Sequence, residues 1–193
     1  MPAEARISSI WKKQKLFVAL FLIAIGAWFF WDGFVGYPRS NARWQAHQQY
    51  VTDGRVADWP AYAKSRGWVA TPPEKFYKKS DIVGQFVFGG IGALLGVIVF
   101  VYWFTQKNQV IRSDETAVYT PRGTTVPFGA ITGLGKKRWD SKGIAVVRYE
   151  IEGRKGQFLL DDYKFETEPT RQILEDIEVK LRARGEEPAG EKK

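Results

Sequence analysis

Cysteine is absent from this chain of 193 residues, and methionine and histidine occur once each. The missing thiols exclude disulfides, thiolate catalysis and cysteine metal sites, while leaving the redox compartment open. The lone imidazole, His47, lacks the partner carboxylates or second imidazole that a proton shuttle or metal ligand needs. It reads as an ordinary helix-surface or interfacial residue, and no catalytic residue, metal or cofactor is expected. A concentrated basic face is also lacking. The formal charge is +8, but residues 105 to 193 carry seventeen basic groups against fifteen acidic ones. The excess lies in residues 1 to 15, with four against one, and in residues 32 to 81, with eight against five. A nucleic-acid reader would gather that charge on its soluble domain, so nucleic acid is excluded as a partner.

Charge is missing altogether from two apolar stretches, Leu16 to Trp31 and Ile82 to Phe104. The second has Gln85 as its only strongly polar side chain and is long enough, at about 1.5 Å per residue, to cross a hydrocarbon core of about 30 Å. The first extends through Gly33 to Gly36, with Asp32 at the interface. This predicts a basic N-terminal segment at 1–15, a first transmembrane helix at 16–36, a loop at 37–81 and a second transmembrane helix at 82–104. A cleaved signal peptide is the competing reading of the first stretch. It needs a small-x-small cleavage site, whereas Trp28, Phe29, Phe30 and Trp31 supply the bulky rings of an interfacial anchor. Gly90-Ile91-Gly92 has the look of a dinucleotide turn, but apolar residues continue past it to Phe104 with no sheet context. The glycines have a simpler use. Gly89 with Ala93, and Gly92 with Gly96, form small-xxx-small pairs that admit a close helix neighbour, either the first span or another subunit. Lys12, Lys13 and Lys15 favour a cytoplasmic N-terminus, and two spans return the C-terminus to the same side. Six basic groups flank the spans on the termini side against five on the loop side.

The loop reads as structured. Pro38 ends the entry segment, Ser40 or Asn41 caps a helix that Gly54 closes, and a second short helix runs from the Asp58 cap to Gly67. Trp44, Tyr50, Trp59, Tyr62 and Trp68 give it aromatic area to pack against the membrane or a partner, forming a candidate interface. After Phe104 the pattern changes to short β-rich runs at 109–112, 117–120, 124–128, 130–136, 143–151 and 156–160, bounded by Gly, Pro, Asp or Ser. Gly153-Arg154-Lys155-Gly156 is the clearest hairpin turn. A final helix starts at Thr167, repeats Ile173, Ile177 and Leu181 beside Leu174, and stops at Gly185. The fold class is therefore α+β: a two-helix transmembrane hairpin with a helical aromatic loop, then a small antiparallel barrel and closing helix over 105–185, with a disordered tail at 186–193.

Three segments carry a family resemblance: Val110-Ile111-Arg112-Ser113-Asp114-Glu115, read as an exposed opening; the run Thr125 to Leu134 with its Pro127-Phe128 step; and the helix Arg171 to Arg184. Together they resemble the bacterial pleckstrin-homology-like (PH-like) domains that follow two membrane spans in many uncharacterised proteins. The resemblance covers about 85 residues and implies a bacterial cytoplasmic-membrane protein whose domain is a binding scaffold. In the wider fold, basic residues between the first two strands often bind phosphoinositides. Here Ser113, Asp114 and Glu115 stand there, and their carboxylates would repel a headgroup phosphate. Lys136, Lys137 and Arg138 beside Trp139 form a substitute lipid or partner patch, attracting anionic lipid at about 1 kcal/mol each, or else a solvated turn beside Asp140.

Two further patterns fail. Ala130 to Lys137 echoes a phosphate-binding loop but lacks its first glycine and its Mg²⁺-binding hydroxyl. Asp161, Asp162 and Glu166 have no calcium-loop framework and read as surface charge. Two functions follow. One is a non-enzymatic membrane anchor whose domain binds a protein partner at the cytoplasmic face and scaffolds or regulates a complex. The other is an accessory subunit of a membrane enzyme or transporter, acting through the aromatic loop and the glycine-lined second span. The expected partners are the lipid bilayer and either a membrane protein or a second copy.

Overall fold

The computed structural model describes residues 2 to 185; the tail expected at 186–193 lies outside the described residues. Seven strands and six α-helices follow in order: β1 (Ala3–Arg6), α1 (Ser9–Trp31), α2 (Tyr37–Thr52), α3 (Trp59–Ser65), α4 (Lys79–Gln106), β2 (Val110–Ser113), β3 (Ala117–Tyr119), β4 (Thr125–Pro127), β5 (Ile131–Arg138), α5 (Trp139–Lys142), β6 (Ile144–Ile151), β7 (Arg154–Asp161) and α6 (Thr167–Ala183). The chain forms two compact units. One joins Met1–Leu16 to Val101–Lys193, and the other is Phe17–Phe100.

The first unit departs from the sequence expectation at its start. Residues 3 to 6 do not belong to a plain basic segment but form an edge strand, paired antiparallel with β2 in the register Ala3 to Ser113 and Arg6 to Val110. Their Ala-Glu-Ala-Arg alternation is too short and too weakly apolar to announce a strand. It becomes one because Ala3 and Ala5 are small enough to sit against the core while Glu4 and Arg6 face water. Ile7 bridges to Phe165 and Trp11 is buried in the same core. The stretch Val110 to Ser113, expected to be exposed, alternates instead, with Ile111 and Ser113 buried.

The strands form two antiparallel sheets, ordered β1-β2-β3-β4 and β5-β6-β7. No closed barrel is found among the described residues. The strands of the first sheet span only three or four residues, and the β5–β6 pairing shifts register between Ile131 and Gly133 and between Gly135 and Arg138. The two sheets share no paired edge strands among the described residues, so the ladder does not run around a circumference. The core between the sheets holds Ile111, Val118, Val126, Leu134, Val147 and Leu160, and α6 covers it with Thr170, Ile173, Leu174, Ile177 and Leu181. The β6–β7 turn falls earlier than the glycines suggested. Glu152 and Gly153 take positive φ (50° and 76°), while Arg154 and Lys155 already belong to β7.

In the second unit, α1 does not stop at Pro38. A π-helical turn, Asp32–Gly36, carries it into α2, so that helical backbone runs from Ser9 to Thr52. Pro38 is tolerated because it falls in the first turn of α2, where its missing N–H costs little. Asn41 caps nothing. Its Nδ2 donates to the Tyr77 carbonyl and its Oδ1 accepts from the Tyr77 N–H, both at 2.8 Å, tying α2 to the segment before α4. Helices Ser9–Thr52 and Lys79–Gln106 each contain a stretch long and apolar enough to cross a membrane.

Candidate functional site

Small residues bring α1 and α4 together. The two backbones approach so closely that a Cβ added to Gly96 would stand 2.9 Å from Ile23 N and 3.0 Å from the Ala19 carbonyl oxygen. At Gly92 the contact is with Gly26 Cα at 3.4 Å, and at Gly89 with the Gly26 carbonyl oxygen at 3.1 Å. Ala93 faces Gly26 through its backbone. The stripe on the second long helix is thus filled by the first. The other half of the seam, Ala19, Gly26 and Gly33, was missed in the sequence. All three are buried, and their spacing of seven residues, matching Gly89 to Gly96, is the signal that would have found them. Gln85, the strongly polar side chain of the apolar stretch in α4, donates from Nε2 to the Tyr37 hydroxyl at 2.8 Å.

The loop aromatics face one another. Trp59 is only 1% exposed, with Tyr50, Tyr62 and Trp68 around it at centroid distances of 6.0, 6.0 and 6.3 Å. Trp44 packs apart from them, on Phe76 at 5.2 Å. His47 is buried rather than on a helix surface. Its ring stands edge-on to Trp59 at 4.8 Å, and neither ring nitrogen has a hydrogen-bond partner among the described residues. Arg43 clamps the far side by donating to the carbonyls of Val69 (3.0 Å) and Thr71. These rings form the interior of a miniature helical domain, since aromatic area in a loop of this size buries itself first.

Tertiary contacts split the patch at residues 136 to 139. Lys136 Nζ is 2.8 Å from Glu178 Oε1 on α6, both groups largely sheltered, and Trp139 packs against the core. Only Lys137 and Arg138 are exposed. The acidic opening is also committed. Asp114 Oδ1 accepts from Thr116 N (2.7 Å), Thr116 Oγ1 (2.7 Å) and Ala117 N (2.9 Å), while Oδ2 accepts from the Tyr119 hydroxyl at 2.7 Å. Those donors, the Tyr119 hydroxyl foremost, hold its carboxyl well below the usual carboxylate range. Asp161, Asp162 and Glu166 turn to separate partners: the backbone N–H of Tyr163 and Lys164, the Arg171 guanidinium, and the Arg6 N–H.

One cation escaped the sequence reading. Lys164, between β7 and α6, is half-buried, and its Nζ donates to Gln106 Oε1 (2.8 Å) and Gln109 Oε1 (3.0 Å). Burial pushes its pKa down, Asp161 partly opposing this and Arg122 adding to it. Only the fold assembles this group, because its partners lie more than fifty residues away. Searches against protein-family models, curated proteins and solved structures return no match to this chain.

Proposed function

We propose that this chain is a membrane-anchored PH-like module of the bacterial cytoplasmic membrane, with both termini in the cytoplasm and a domain that binds a protein partner there. The observation that carries the reading is the pairing of β1 with β2. These strands flank two long apolar helices, so residues 3 to 6 and 110 to 113 must lie on one side of any membrane the helices enter. If one helix crosses, the other returns. Cleavage after α1 would remove β1, Ile7 and Trp11 from the core, which argues against a signal peptide.

Further support comes from the helix surfaces. Phe17, Phe21, Trp28, Phe88, Leu94 and Ile98 are more than half exposed. In water that apolar area would be an aggregation liability, whereas lipid accepts it. Six short strands, β2 to β7, followed by the covering helix α6 keep the strand-then-helix order on which the PH-like resemblance rests, although the barrel it implies is not closed. Lys12, Lys13 and Lys15 favour the cytoplasmic side for the domain. The accessory-subunit reading is weaker, because its glycine stripe is occupied by α1 and most of its loop rings pack on one another.

Ser65 and Ser141 are both exposed, and the chain has no native thiol. In intact cells, Ser65→Cys should react with an impermeant maleimide and Ser141→Cys should not; labelling at position 141 alone refutes the orientation. Photocrosslinking from position 137 of the full chain in native membranes should yield one stoichiometric protein adduct. Recovery of lipid adducts alone refutes the protein-binding role.

A further inference from the structure

A cleft of about 450 Å³ opens in the first unit between the edge strand β7 and the β3–β4 turn. Phe158, Phe165 and Tyr102 line it on the apolar side. Its polar side brings together Lys164, Arg122, Gln106 and Gln109 with one acid, Asp161. The volume suits a small headgroup rather than a macromolecule.

Charge is unbalanced in this cleft. Among the described residues, no carboxylate oxygen forms an ion pair with Lys164, whose ammonium rests on two neutral amide oxygens and above the rings of Trp11 (5.8 Å) and Phe165 (5.5 Å). A half-buried ammonium held only by neutral acceptors carries an uncompensated desolvation cost. Asp161 does not relieve it by direct contact, since its Oδ1 accepts from the backbone N–H of Tyr163 and Lys164. Arg122 stands exposed at the tip of the β3–β4 turn, held there by Gly123 at φ 82°, with no hydrogen bond or ion pair among the described residues. Because Gln109 gives its oxygen to Lys164, its amide N–H groups remain to donate. Two cations and amide donors converging on one cavity form a receptor for an oxyanion with several oxygens.

We propose that this cleft binds a phosphate-bearing anion, supplied by the headgroup of an anionic phospholipid. The choice of source rests on the membrane-anchored reading above. The apolar run of α4 ends at Phe104, so Gln106 and Gln109 follow it at headgroup level, and Tyr102 and Trp103 are the aromatic types enriched there. Lys12, Lys13, Lys15 and Lys107, which flank the same ends of the two apolar runs in the sequence, raise the local concentration of anionic lipid.

The test uses the full chain reconstituted in phosphatidylcholine vesicles with and without one third phosphatidylglycerol, then extracted for native mass spectrometry of retained lipid. The wild type should retain one phosphatidylglycerol. Each of Lys164→Gln and Arg122→Gln should weaken retention about fivefold, and the pair about thirtyfold. Lys164→Arg should restore it, and Lys155→Gln, outside the cleft, should leave it unchanged. Circular dichroism and melting of each variant separate lost binding from lost folding. Displacement by millimolar inorganic phosphate supports the phosphate chemistry. Phosphate binding to wild type without any preference for phosphatidylglycerol overturns the lipid source and assigns the site to a free phosphate. Equal retention by wild type and the double variant, or none by either, overturns the site. Flotation with the vesicles after alkaline washing keeps the two readings apart. A protein that fails to float refutes the membrane anchor, whereas one that floats without lipid selectivity refutes the cleft alone.

Discussion

Replacing Gly26 with alanine tests the helix seam at its closest approach of backbone to backbone. The added Cβ would lie 2.7 Å from Ala93 N, 2.9 Å from the Gly89 carbonyl oxygen and 3.1 Å from Ala93 Cα. All three are backbone atoms of a regular helix, so no side chain can swing aside. Reaching ordinary contact at 3.4 Å or more requires the two helices to part by about 0.7 Å at this level. Overpacking of this kind costs about 1–3 kcal/mol, and the neighbouring contacts lose about a quarter to a half of their dispersion well as the gap opens. Alanine recovers at most about 1 kcal/mol through its helix propensity. The expected net loss is therefore about 1–2 kcal/mol, read as a shift in the unfolding midpoint of the full chain titrated from mild detergent into dodecyl sulfate. Gly90→Ala and Gly84→Ala are the controls, because nothing lies within 4 Å of either added carbon. Both should be neutral or slightly stabilising. If Gly26→Ala unfolds no earlier than Gly90→Ala, the close approach of α1 and α4 is refuted.

Trp11→Ala should cost about 3–5 kcal/mol in thermal unfolding, since Trp11 is only 3% exposed and shares the core with Ile7 and Phe165; a loss below about 1 kcal/mol would show that the start of α1 is not part of the domain core. Asp114 has a lowered folded pKa, so its contribution is full above about pH 4 and disappears as pH falls toward the folded value. Asp114→Asn should lower the melting temperature at pH 7, with the difference from wild type shrinking below pH 4; parallel acid limbs would contradict this. Lys164 titrates in the opposite sense. Its folded pKa lies below about 10.4, the unfolded chain binds the extra proton between those values, and stability rises as pH climbs through that window. Lys164→Met should be at least as stable as wild type at pH 7 and lack that alkaline gain. Strong destabilisation by methionine would mean that the ammonium is a structural strut.

Local chemistry alone determined much of this protein. The two apolar stretches have a length and a uniformity that few structures other than long helices satisfy, and α1 and α4 contain them. The six β-rich runs after Phe104 appear as β2 to β7 within a few residues, because glycine, proline and aspartate punctuate them wherever the chain turns. The terminal helix was legible from its period, and Ile173, Leu174, Ile177 and Leu181 are the residues it buries. The glycine stripe on α4 announced close packing but not with what, since small-xxx-small spacing is blind to its partner.

What the sequence could not say turns on contacts made across long separations. Residues 3 to 6 are a strand only because β2, more than a hundred positions away, offers an unpaired edge for them. The first helix continues past Pro38 because a π turn absorbs the misfit, a geometry with no residue signature of its own. Barrel closure depends on whether the edges of the two sheets pair, which alternation patterns do not encode. Lys136 and Trp139 left a surface patch for an ion pair and the core, and Lys164 gained two amide acceptors from the end of α4. Periodicity and turn chemistry act over a few residues and so are written in the sequence. Partnership across the fold depends on which faces the packed elements leave open to one another, and only the tertiary structure decides that.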